Sequence, residues 1–141
     1  MSAQSRRVAG VLFVLLPTVM YGGWTILQFL ISDPGYMQNE LRQNLWRAGH
    51  AHAGVFLVLS LVALIYVDHA RLGAGLKSLV RFCFPAAAIF VPAGFFLSVV
   101  ARDATAPNAL INLVYVGIVA LATGLLVLGF GLLRGGAKDS S

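Results

Sequence analysis

Four long stretches of this chain contain no Asp, Glu, Lys or Arg: residues 8–31, 48–67, 82–101 and 109–133. Each meets the roughly 20 residues that an α-helix needs to cross about 30 Å of hydrocarbon at 1.5 Å per residue. In lipid the backbone has no water to bond, so such stretches must satisfy their own N–H and C=O groups as helices. Transmembrane strands would be half as long and would alternate polar with apolar residues, which these do not. With 59% hydrophobic and 11% charged residues over 141 positions, the chain departs from both soluble globular and disordered compositions. The expected fold is all-α, an integral membrane four-helix bundle forming a single domain over residues 1–141.

The segments between these runs are short and carry turn signals. Residues 32–47 contain Asp33-Pro34-Gly35, residues 68–81 contain Gly73 and Gly75, and residues 102–108 end on Pro107-Asn108. The first run is too long for a signal peptide, and no small-residue cleavage site leads into a soluble body. Arg6, Arg7, Arg71, Lys77, Arg81, Arg134 and Lys138 fall on one side of the expected membrane, against Arg42, Arg47 and Arg102 on the other. That imbalance places both termini and the 68–81 segment in the cytoplasm of a bacterial inner membrane. Arg71, Lys77 and Arg81 are then expected to meet anionic lipid. The net charge of +5 does not indicate nucleic acid, because the basic residues lie between apolar runs and form no polar face. The single cysteine, Cys83, excludes an internal disulfide.

Residues able to carry chemistry concentrate in Arg47-Ala48-Gly49-His50-Ala51-His52-Ala53-Gly54, where the second run enters the membrane from outside. Histidine in a membrane segment is costly and calls for a partner. On a regular helix His50 and His52 point about 200° apart; an opening of the first turn at Gly49 would instead let both rings converge. Three uses follow. One is heme b ligation by imidazole, with Arg47 holding a propionate and Tyr21 and Asn112 alongside. Another is a copper or zinc site in which Met37 and Glu40 join His50 and His52. The third is proton handling. A purely structural role, capping the helix and bonding loop carbonyls, stands against all three. His69 lies 17 residues after His52, about 25 Å along a helix, and is expected to favour the helix C-terminus and headgroups.

Other positions are supporting candidates. Thr18, Tyr21, Trp24, Thr25 and Gln28 share a stretch of the first helix, and Ser98 and Asn112 are candidates for hydrogen bonds between helices. A weak internal repeat pairs His52-Ala53-Gly54-Val55 with Tyr115-Val116-Gly117-Ile118. No phosphate-binding glycine loop, membrane carboxylate, C-x-x-C pair or nucleophile elbow is present in the sequence.

Tyr21-Gly22-Gly23 together with the GHAHAGV motif at Gly49–Val55 and Asp68 resembles a family of small four-span bacterial membrane proteins. That resemblance implies the fold and no particular activity. Arg47 and His50 or His52 are also similar to the second helix of heme-copper oxidase and nitric oxide reductase catalytic subunits. There an Arg shortly before a His opens the helix that ligates low-spin heme. The other three runs carry no histidine, so a bis-histidine heme would need a second subunit; otherwise the heme has a fifth ligand only, or Tyr115 stands in. The expected function is therefore a heme or metal site at the outer end of the second helix, in a homo-oligomer that serves electron transfer or cofactor handling with a redox partner. The alternatives are an oligomeric channel or transporter lined by Thr25, Gln28, His52 and Asn112, and an accessory subunit of a larger membrane complex.

Overall fold

The computed structural model describes residues 1–134, and Lys138 lies outside them. Among the described residues the chain is helical and contains no strand. The helices are α1 (Ala3–Ser32), α2 (Pro34–Met37), α3 (Glu40–Val67), α4 (Ala74–Ser98) and α5 (Asn112–Leu133), with a 3-10 turn at Ala109–Ile111. Four are long and apolar enough to cross a membrane: α1, α3, α4, and α5 with its preceding turn.

Local chemistry sets the helix starts. The Ser2 hydroxyl accepts from the Ser5 N–H, the Asp33 carboxylate from Tyr36, and the Asn39 side chain from Arg42. Pro34 occupies the first turn of α2, where its missing N–H costs nothing. Asn108 accepts from the Leu110 N–H at 2.8 Å and opens the 3-10 turn.

The helix ends do not coincide with the ends of the charge-free stretches. α3 begins at Glu40 rather than residue 48, so Arg42 and Arg47 ride on its first turns. α4 begins at Ala74 rather than 82 and stops at Ser98, leaving residues 99–101 outside. Hydropathy marks the length that suits hydrocarbon, whereas backbone bonding continues into turns that bear charge. The fourth stretch opens with the 3-10 turn rather than with α-helix.

The four long helices pack in the order α1, α3, α4, α5, and α1 does not meet α5. α4 is the most enclosed span and α1 the least. The α4–α5 contact is close enough to need glycine. A Cβ at Gly94 would lie 2.8 Å from the Val114 nitrogen, and one at Gly117 would lie 3.0 Å from the Val91 nitrogen. Such approach is typical of helix pairs in lipid, where packing rather than water exclusion drives association. One apolar cluster joins Ala63, Val67, Ala70, Val80, Phe84 and Leu128; a second joins Leu12 to Leu57, Leu64 and Ala88.

Arg81 is where the sequence reading fails most clearly. Expected at the lipid surface, it is buried instead, pairing with Asp68 at 2.7 Å. Its Nε donates to the Ser5 hydroxyl at 2.9 Å and its Nη1 to Gln4 at 3.2 Å. The Ser2 N–H donates to the other Asp68 oxygen at 2.6 Å, and Lys77 donates to the Asp68 carbonyl at 3.0 Å. A guanidinium can be buried here because a carboxylate and three side-chain oxygens surround it. Burial pushes the Asp68 carboxyl up, but the hydrogen bonds from Ser2 and Arg81 outweigh it and hold the group below its ordinary range. His69 is exposed just beyond the end of α3.

Candidate functional site

α3 runs unbroken through Gly49, so the two histidines keep the divergent directions of a regular helix and do not converge. His50 faces α1. Its ring lies on Gly22 and Gly23, and a Cβ at Gly23 would stand 3.0 Å from both Cε1 and Nε2 of the imidazole. The two glycines thus make the space that His50 fills. On the neighbouring position, Gly49 admits the Phe96 ring from α4.

His52 faces α4. Its ring packs against Phe95 and Phe56, with centroids 5.3 Å away in each case. The Nδ1 atom lies 2.7 Å from the Ala48 carbonyl oxygen. A carbonyl only accepts, so Nδ1 is the donor in this contact, and in the neutral ring Nε2 is then the atom with a lone pair. The ring is half-buried, and with Ala51, Val55 and Phe56 it lines an open cavity of about 170 Å³. Arg47, Ala51 and Val55 follow one another at helical spacing, which puts Arg47 one turn outward of this cavity. Arg47 is exposed and donates to Gln43 at 3.0 Å.

The remaining candidates are not drawn to the histidines. Tyr21 is exposed and packs against Trp24 at 5.5 Å. Asn112 is exposed and donates to Ala109 at 3.0 Å, within its own turn. No hydrogen bond joins either residue to His50 or His52 among the described residues. Met37 and Glu40 are exposed, and Glu40 is ten residues before His50, about 15 Å along α3. Among the described residues no three His, Cys, Asp or Glu side chains gather as a metal site. Of the residues considered for a pore, Thr25 donates to the Tyr21 carbonyl of its own helix, and α1, which carries it, does not meet α5, which carries Asn112. Ser98, expected to bond between helices, instead donates to the Phe95 carbonyl within α4.

Beyond His50, the same end of the molecule holds a cluster that sequence reasoning missed. Tyr36 is fully enclosed, with its ring 5.3 Å from Phe29, which in turn lies 5.1 Å from Trp46. Trp46 meets Phe96 at 5.1 Å. The Arg42 guanidinium lies 5.7 Å from the Tyr36 ring centroid, within cation–π range, and its Nε donates to the Val99 carbonyl at the end of α4. Arg42 and Trp46 stand one helical turn apart, and that spacing was the available signal. Their burial was not visible, because α2 and the end of α4 create it.

No protein-family profile, curated protein or solved structure matches this chain.

Proposed function

We propose that this chain is a multi-pass protein of the bacterial inner membrane, with both termini cytoplasmic, that holds heme b through His52 and serves electron transfer. The observation that carries this reading is the 2.7 Å bond from His52 Nδ1 to the Ala48 carbonyl. It fixes the tautomer and ring direction and leaves Nε2 free, which is the arrangement an axial imidazole needs. Phe56 and Phe95 flank the ring with apolar surface suited to a porphyrin face.

Heme is favoured over copper or zinc by the ligand count. A porphyrin supplies four nitrogens of its own and asks the protein for one or two, whereas a tetrahedral zinc site needs three or four protein ligands. One free imidazole meets the first demand and not the second. His52 is preferred to His50 because α1 occupies the space against the His50 ring, whereas the edge of His52 lines an open cavity. Arg47, one turn outward, is positioned to pair with a propionate. The same histidine of a second copy would supply the other axial ligand, giving a homodimer around the cofactor.

The test is the visible spectrum of detergent-purified protein from heme-replete cells, oxidised and dithionite-reduced. The expected result is a Soret band lost in His52→Ala, kept in His50→Ala, and weakened in Arg47→Gln. A colourless wild-type preparation overturns the reading.

A further inference from the structure

The Arg42 cluster carries a second site that is independent of His52. Arg42 is 4% exposed and Tyr36 is 0% exposed. Arg42 Nη1, the Tyr36 hydroxyl and Trp46 Nε1 are all buried without a hydrogen-bond partner. Among the described residues the one ion pair is Arg81 with Asp68, so Arg42 has no carboxylate. The two buried guanidinium groups are thus treated oppositely: Arg81 is surrounded by acceptors, whereas Arg42 keeps N–H groups facing none.

The chemistry of the three orphaned atoms is one-sided. Guanidinium and indole N–H groups can only donate, and a neutral phenol donates readily. Burial pushes the Tyr36 phenol up, against the opposing pull of Arg47 and Arg42, so it stays protonated at neutral pH. Arg42 also sits in the first turn of α3, where the helix end adds positive partial charge. Buried donors that lack an acceptor are costly, so the cluster is suited to a group that accepts hydrogen bonds, and the Arg42 guanidinium favours one that carries negative charge.

We propose that Arg42, Tyr36 and Trp46 form a binding site for a phosphate-type oxyanion, supplied either by a lipid headgroup or as free phosphate. The cluster lies at one end of the long apolar helices, the end that would meet headgroup phosphates in a bilayer these helices cross. Entry is by way of α2, a four-residue helix that carries Tyr36. α2 is fastened by the Asp33 cap and by Gln43, which donates to the carbonyls of Tyr36 and Met37 at 3.0 Å. A cavity of about 310 Å³ lined by Asp33, Pro34 and Met37 opens beside it.

The experiment is thermal unfolding of the detergent-purified full chain at constant ionic strength in chloride. Inorganic phosphate is added in one arm and phosphatidylglycerol mixed micelles in the other. Binding to the folded state raises the midpoint, here by about 5 °C at saturation. The response is expected to vanish in Arg42→Gln, shrink in Tyr36→Phe and persist in Arg102→Gln, which alters an exposed cation at the same end. A rise with phosphatidylglycerol alone assigns a headgroup, and a rise with inorganic phosphate assigns the free anion. No rise in either arm overturns the proposal, as does an equal rise in Arg42→Gln. Should Arg42→Gln fail to fold, an undiminished response in Tyr36→Phe overturns it. Heme content does not enter this readout, so either proposal can fail without the other.

Discussion

The Arg81 guanidinium reaches from α4 to the Asp68 carboxylate at 2.7 Å, and both groups also bind residues at the start of α1. α1 is the least enclosed of the four spans and never reaches α5, so this anchor fastens one of its ends. Removing one member leaves a buried charge unpaired. Arg81→Met is expected to cost about 3 kcal/mol, and adding Asp68→Asn to it is expected to recover part of that loss. Unfolding of the single and double variants in detergent measures both quantities; additive losses would show that the two groups do not act as a pair.

Asp68 also sets a pH dependence. Its folded-state pKa lies below the ordinary carboxylate value of about 3.9, so its contribution is present above that value. The contribution is lost as pH falls below about 4 toward the folded-state pKa. The midpoint of the wild type is therefore expected to fall toward that of Asp68→Asn between pH 5 and pH 3, in buffers of about equal ionic strength. A gap between the two proteins that stays constant across that range would contradict this assignment.

The contact of His50 with Gly22-Gly23 predicts a compensating pair. Gly23→Ala places a methyl 3.0 Å from the imidazole and should lift α1 from α3, costing about 1–3 kcal/mol as overpacking does. His50→Ala in the same chain removes the obstacle and should restore much of that loss. Gly10→Ala serves as the control, since a Cβ there meets nothing within 4 Å. Gly117→Ala is expected to be worse than Gly23→Ala and harder to rescue, because its obstacle includes the Val91 backbone nitrogen. Thermal unfolding of the four variants in one detergent ranks them.

The asymmetry of basic residues gives a topology prediction. With Arg81 neutralised by Asp68, the Asp68 end still carries Arg6, Arg7, Arg71, Lys77 and Arg134. Single cysteines placed in a Cys83→Ser background report the sidedness. A membrane-impermeant maleimide added to intact spheroplasts is expected to label Arg102→Cys and not Ser78→Cys. The reverse pattern would invert the orientation.

Much of the helical architecture was legible because its cause is local. A stretch without charge and long enough to span lipid announces a helix whatever it packs against, and α1, α3, α4 and α5 each take up most of such a stretch. The choice between divergent and convergent His50 and His52 was not legible, because it turned on whether the helix stays unbroken at Gly49, and it does. Helix ends were read less well. Arg42 and Arg47 look like loop residues to a hydropathy argument, yet Asn39 caps a helix that carries both.

What the sequence determines by itself is thus the set of long apolar helices and which of them bears the histidine pair, because length, charge and helical period are encoded within each segment. The tertiary structure alone decides which helices touch, and with that the fate of individual polar groups. Arg81 and Arg42 look alike as cations beside apolar runs. Contacts between residues 13 and 76 positions apart surround Arg81 with acceptors, whereas Arg42 is enclosed by Tyr36, Val99 and the aromatic cluster with donors left over. The burial and hydrogen bonding of a side chain depend on partners brought in by other helices, and no pattern inside α3 or α4 specifies them.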